Sequence, residues 1–198
     1  MQTTPGEKAF ESVPNPLDVG AVVSAVKRLE SAAPGHHSVS LTGGEPLLQV
    51  GFLRELCARL RKSGMRIYLE SNGRLAEALK EAVPCVDIVA MDFKLESASG
   101  VKPDTETHRE FLAAAAKKDV FVKAIVCGST PEEEIRECAA AVAGVSRRIA
   151  LVIQPVTPID EKTTPPTGAQ LLRFQIAASR LLDDVRVIPQ CHKVMGLL

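Results

Sequence analysis

Apolar residues along this chain fall into two alternating patterns. Short runs rich in Val, Ile and Leu occur at residues 38–42, 66–70, 86–92, 120–127, 149–154 and 185–189. Several are almost continuously apolar, as strands are when helices cover a parallel sheet. Between them, Val19, Val22, Val23, Val26 and Leu29 recur at the spacing of one helix face. Leu53, Leu56, Cys57 and Leu60 do the same, as do Ile135, Cys138, Ala139 and Val142. Leu171, Phe174, Ala178 and Leu182 form a weaker stripe, with Gln175 inside it. Thr130 is the expected N-cap of the helix near 131, with Pro131 at its first position. Glu132, Glu133 and Glu134 then sit where the helix dipole is positive, which explains the acidic run without a metal site. The alternation predicts an α/β chain of βαβ units around a parallel sheet, either open and doubly wound or a partial β/α barrel. Residues 1–16 read as an irregular lead-in and 17–198 as one domain. Residues 155–167, with four prolines, read as one long loop.

Composition narrows the function classes. Lys plus Arg and Asp plus Glu both total 24, so no broad basic field for nucleic acid is expected. No run approaches the roughly 20 apolar residues that span a bilayer. The first eight residues lack the apolar core of a secretory signal, so a cytoplasmic protein is expected. The five cysteines, Cys57, Cys85, Cys127, Cys138 and Cys191, are too widely spaced for a metal finger. Reduced structural thiols are the expectation. Trp is absent and Tyr68 is the single tyrosine, so the core must be aliphatic.

Ligands of parallel β/α folds bind at the carboxyl ends of the strands. Those ends read Thr42-Gly43-Gly44-Glu45-Pro46, Glu70-Ser71-Asn72-Gly73, Asp92-Phe93-Lys94, Cys127-Gly128-Ser129, Gln154-Pro155-Val156-Thr157 and Gln190-Cys191-His192-Lys193. A parallel sheet would set all of them on one rim. The glycine pair permits close ligand approach. No Gly-Lys-Ser/Thr follows it, so it is not a nucleotide-triphosphate loop. Asp92 and Lys94 flank Phe93, which puts both on one face, for a salt bridge, a ligand contact or both. Lys123, inside an apolar run, is either a buried amine of shifted pKa or the partner of a carboxylate. His108 is expected on a helix surface. His36 and His37 sit in a Pro-Gly loop and read as solvated.

Thr42 to Pro46 resembles the GGE motif of radical S-adenosylmethionine enzymes. Glu70 to Gly73 resembles the strand end "ETNG" of that superfamily. Val86 to Lys94 resembles its next strand, and Val187 to Lys193 resembles a C-terminal "IPQxHK" segment. The resemblance runs along most of the chain. It is greatest to 7-carboxy-7-deazaguanine synthase-like proteins and smaller to pyruvate formate-lyase activating enzymes. It implies a partial (β/α)6 barrel, S-adenosylmethionine as cofactor, and a [4Fe–4S] cluster held by CxxxCxxC. It further implies a small, pterin-like substrate, assistance by magnesium, and a reductant such as flavodoxin or ferredoxin. A homodimer is also compatible with it. CxxxCxxC is absent from these residues, and the pattern opens on a helix rather than a strand. A barrel lacking its first strand and cluster loop is therefore expected. A fragment or misassigned start, a degenerate copy, and a cluster loop supplied by another polypeptide all remain open.

The resemblance assigns residues as well. Gly43, Gly44 and Glu45 would meet the amino group of the methionine moiety. Glu70, Ser71 and Asn72 would line its carboxylate or the ribose. Asp92, Lys94, Gln154, Pro155, Val156 and Thr157 would complete the adenosyl site. Thr42 would face substrate, and His192 and Lys193 would meet an acidic part of it. Two other readings stay beside this one. The first is a non-catalytic β/α protein that retains the cofactor pocket. The second is a Schiff-base lyase using Lys94 or Lys123.

Overall fold

A computed structural model describes residues 10–158 and 164–195. The lead-in up to residue 9 and residues 159–163 of the Pro-rich loop lie outside them. Six strands form one parallel sheet in chain order: β1 (Val39–Leu41), β2 (Ile67–Ser71), β3 (Ile88–Phe93), β4 (Asp119–Val126), β5 (Ala150–Pro155) and β6 (Val185–Val187). The sheet does not close, and β1 and β6 are its edges. Eight helices accompany the strands among the described residues: α1 (Val19–Ala32), α2 (Val50–Lys62), α3 (Ala76–Ala82), α4 (Glu96–Ser99), α5 (Thr105–Ala115), α6 (Glu132–Ala143), α7 (Gly168–Ser179) and α8 (Cys191–Val194). None of the described helices is long and apolar enough to cross a membrane.

Local chemistry accounts for the main helices. The Asp18 carboxylate accepts from Ala21 N at 2.8 Å and starts α1. In α2 the stripe Leu53, Leu56, Cys57 and Leu60 is buried, and Arg59, Arg61 and Lys62 occupy the last turn. Those cations suit the negative end of the helix dipole. Thr167 and Gln170 form a reciprocal capping box at the start of α7.

The two faces of the sheet differ in kind. Alternate residues of the central strands, Leu69, Met91, Val122, Ala124, Val126, Leu151 and Ile153, have no exposure and form the core with the helices. The intervening residues point the other way, onto the concave face. Register aligns Glu70 with Ala90, Asp92 with Lys123, and Ile125 with Gln154. Polar side chains from separate strands thus share the concave face. Tyr68 and Phe121 meet lower on it, with ring centroids 6.2 Å apart.

The structure departs from the sequence reading in three places. Helix α6 starts at Glu132, and Pro131 rather than Thr130 occupies its cap. The Thr130 hydroxyl instead accepts from Cys127 N at 3.0 Å and bonds Ser97 Oγ at 2.8 Å. Helices α3 and α5 have no counterpart among the stripes read from sequence. Only seven residues make α3, too short for a clear period, and Ala113–Ala115 dilute the stripe of α5. Finally, His108 is buried at 3% exposure, because α5 turns it inward against Phe93, ring centroids 4.6 Å apart. An isolated polar residue carries no sign of which face it takes, and tertiary packing chose the inner one.

Candidate functional site

The site grows from the turn after β1. Gly43 and Gly44 adopt φ of +90° and +56°, a region costly for residues with a side chain. This reversal delivers Glu45 over the end of β2. There its carboxylate accepts from Leu47 N at 3.2 Å, Ser71 Oγ at 3.0 Å and Asn72 N at 2.8 Å. The first of these also caps the 3-10 turn Pro46–Gln49. Glu45 therefore ties the glycine turn to the strand end beside it.

A second set of contacts crosses three strands. The Thr42 hydroxyl donates to Glu70 Oε2 at 2.9 Å, and the Lys123 ammonium donates to the other oxygen of Glu70. Burial pushes the Lys123 pKa down. Asp92 pairs with Lys94, one of the roles their spacing allows. Asp92 Oδ1 is left buried with no hydrogen-bond partner among the described residues. A buried carboxylate oxygen without a donor is costly, so it marks a place where a ligand would be held.

Thr42, Gly44, Glu70, Ser71, Asn72, Asp92 and Lys94 line one open cleft of about 410 Å³. Gly43 and Glu45 line an adjoining groove of about 260 Å³ beside β1. Val156 faces a further cleft of about 740 Å³ at the ends of β4 and β5, with Ile125, Cys127 and Ser97. Gln154 shares the concave face with Asp92 and Lys123 by register, and Pro155 ends β5 beside it. Thr157 donates its backbone N–H to Gln190 Oε1 at 3.0 Å. His192 and Lys193 are exposed on α8 and line none of these clefts. Nine of the residues singled out from sequence thus gather around the β1–β3 ends, while the β5 and β6 ends lie beside them.

Two groups were not placed in the site by sequence. Lys123 reaches it because β3 and β4 pair in a register that the sequence does not print. His108 backs the site from the helix side, its ring nitrogen Nε2 donating to Asn72 O at 3.3 Å. Burial, the largest influence, lowers the His108 pKa, and the bond to Asn72 opposes it. The folded chain then binds fewer protons at His108 than the unfolded chain in mildly acid solution. Stability from this residue is complete above about pH 6.5, the ordinary imidazole value, and is lost as pH falls below it. The urea midpoint is expected to drop between pH 7.5 and 5.5, and to drop less in His108→Leu. An equal drop in both proteins would disprove the assignment.

The donor set fits an amino acid joined to a nucleoside. Lys94 offers a cation, Glu70 and Asp92 offer acceptors, and an ideal Cβ at Gly43 or Gly44 meets no atom within 4 Å, so the turn is open to a ligand. An iron–sulfur cluster does not fit. Cys57 and Cys138 are buried, the cysteines lie far apart in sequence, and no group of three His, Cys, Asp or Glu among the described residues could hold a metal.

Comparison with known proteins gives the family and the fold. The family description "Radical SAM superfamily" matches residues 5–142. A 7-carboxy-7-deazaguanine synthase of Geobacter sulfurreducens is 38% identical over 199 residues, covering 100% of this chain and 79% of that protein. One from Thermococcus kodakarensis is 34% identical over 198 residues, covering 96% of this chain and 74% of the relative. A domain of a pyruvate-formate lyase-activating enzyme from Bacteroides vulgatus superposes with a TM-score of 0.63 at 20% identity, covering 77% of this chain and 99% of that one. Streptococcus suis SuiB bound to S-adenosylmethionine gives 0.63 at 15% identity, covering 92% and 45%. These two structures support the fold, a parallel β/α wall that stops short of closure.

Proposed function

Because the chain belongs to the radical S-adenosylmethionine superfamily, which uses that cofactor, a [4Fe–4S] cluster and a reductant, we propose that its cleft is the cofactor site of a 7-carboxy-7-deazaguanine synthase-type protein. The observation that carries this reading is the orphaned Asp92 Oδ1 in a cleft shared with Glu70, Lys94 and the glycine turn. Bound there, S-adenosylmethionine would supply a sulfonium for one-electron reductive cleavage, the radical chemistry of the superfamily.

The residues of the chain would do the binding and orienting. The Glu45 carboxylate is engaged by its own fold, so it holds the turn while the backbone of Gly43 and Gly44 meets the ligand ammonium. Lys94 would receive the carboxylate, at the cost of loosening its pair with Asp92. Asp92 Oδ1, with Glu70, would accept from ribose hydroxyls. Ser71 and Asn72 hold the strand end in place, and Gln154 to Thr157 continue the wall towards the adenine. Thr42 would face a small, pterin-like substrate. The Lys123 ammonium would hold the Glu70 carboxylate in place.

Calorimetric titration with S-adenosylmethionine and S-adenosylhomocysteine tests the proposal. Both are expected to bind, and Asp92→Asn or Lys94→Ala is expected to weaken binding by about tenfold, the loss of one charge-assisted contact. This chain has no cysteine triad of its own, so the 198 residues alone are expected to release no 5′-deoxyadenosine after treatment with iron, sulfide and dithionite. Absence of binding to either ligand, or equal binding by both variants, would sink the proposal.

A further inference from the structure

A smaller cavity, of about 240 Å³, adjoins the cofactor cleft, and Asn72 and Lys94 line both. The rest of its wall comes from Arg74 after the Gly73 turn, from the segment 99–104 between α4 and α5, and from His108 of α5. Three cations face it: Arg74, Lys94 and Lys102. Lys94 already pairs with Asp92. Among the described residues the side chains of Arg74 and Lys102 hold no ion pair or hydrogen bond. Asp104 is the carboxylate of this wall, and its own helix engages it. As the N-cap of α5 it accepts from Thr107 N at 3.2 Å and from Thr107 Oγ1 at 2.8 Å.

His108 adds an independent demand. It is 3% exposed. A carbonyl oxygen only accepts, so the 3.3 Å bond to Asn72 O places the ring proton on Nε2 and leaves a lone pair on Nδ1. The Cδ2 edge of the ring faces the Gly73 turn, and Nδ1 lies on the other side of Cγ, away from that turn. Nδ1 is buried with no hydrogen-bond partner among the described residues. A buried acceptor without a donor is costly. The cavity therefore suits a ligand with two properties: negative oxygens for Arg74 and Lys102, and one O–H for His108.

Hydrogen phosphate has both. Sulfate matches it in shape and charge but carries no proton, and a phosphate monoester has lost its second proton at about pH 7.5. We propose that this cavity is a binding site for free inorganic phosphate, read through the O–H that the anion keeps in neutral solution. The Arg74 guanidinium and the Lys102 ammonium hold the charged oxygens, and His108 Nδ1 accepts from the protonated one. The site stands apart from the cofactor reading, because Arg74, Lys102 and His108 do not line the cofactor cleft.

The test is an amide NMR titration of the full chain in phosphate-free buffer at about pH 7.5, where the His108 ring is neutral. Sodium phosphate, sodium sulfate and methyl phosphate are the probes. Phosphate is expected to saturate, with its largest shifts at Arg74 and residues 99–104. It is expected to bind at least about tenfold more tightly than sulfate or methyl phosphate, the difference of one hydrogen bond to a buried acceptor. Arg74→Ala and Lys102→Ala should each weaken phosphate binding about tenfold. Both side chains are exposed, so both variants should fold. His108→Leu is expected to bind phosphate and sulfate alike. Circular dichroism checks that this variant is folded, and the selectivity of the wild type decides the matter without it. Equal affinity of the wild type for phosphate and sulfate, shifts without saturation, or shifts centred on Gly43 and Gly44 would overturn the proposal. The S-adenosylmethionine titration decides the cofactor reading separately.

Discussion

Replacing Gly73 by Ala is expected to destabilise the chain by about 3 kcal/mol, a strained backbone and an overpacked core adding together. Gly73 has φ of +74°, which an L residue adopts at a cost. A Cβ there would sit 2.7 Å from Met91 Cγ and Sδ and 2.9 Å from His108 Cδ2. Neither neighbour can yield easily. Met91 is fully buried, and His108 is packed at a tilt against Phe93. The backbone on both sides is also committed. Asn72 N binds Glu45, Asn72 O accepts from His108, and Arg74 N donates to Asn72 Oδ1 at 3.0 Å. Relief of the clash would thus pull on the cleft wall, so weaker S-adenosylmethionine binding should accompany the loss of stability. Gly51→Ala is the control: an added Cβ in α2 meets nothing within 4 Å, and Ala should gain about 0.5–1 kcal/mol there. Urea denaturation measures both. A Gly73→Ala protein within about 0.5 kcal/mol of wild type would show that the turn relaxes freely.

Glu45→Ala is expected to cost about 2–3 kcal/mol, more than an ordinary half-exposed glutamate would. Three donors, Leu47 N, Ser71 Oγ and Asn72 N, would lose one shared acceptor. Ser71 is 3% exposed, so its hydroxyl has little access to replacement water. Hydrogen bonds to a charged group contribute roughly 1.5–3 kcal/mol each, and water entering the vacated space offsets part of the sum. Glu45→Gln should fall between, because its amide nitrogen would face a backbone donor. In conditions where Glu45→Ala remains folded, S-adenosylmethionine affinity is expected to fall at least about tenfold, since the glycine turn loses its anchor. Stability preserved with binding lost would leave Glu45 a ligand contact only. Binding preserved with stability lost would leave it a structural tie only.

Residue by residue, the site was legible where a motif marked it and hidden where pairing made it. Thr42 to Glu45, Glu70 to Asn72, and Asp92 with Lys94 stood out as polar strand ends, and the fold gathers them into adjoining clefts. Lys123 read as a shifted amine or the partner of a carboxylate, but nothing in the sequence said which carboxylate. The β3–β4 register aligns it with Asp92 and brings its amine to Glu70. His108 was misplaced because a lone histidine in an alanine-rich helix carries no periodic signal.

The sequence by itself determined the succession of parallel strands, the main amphipathic helices between them, and the polar character of the strand ends. Those are properties of local periodicity and backbone chemistry, which act over a few residues. Tertiary structure alone decided which strand ends share a cleft, that the Glu45 carboxylate serves its own fold, and that Lys123 answers Glu70. Each of these depends on strand register and on how helices settle on the sheet, and such long-range packing is fixed by the whole core rather than by any segment.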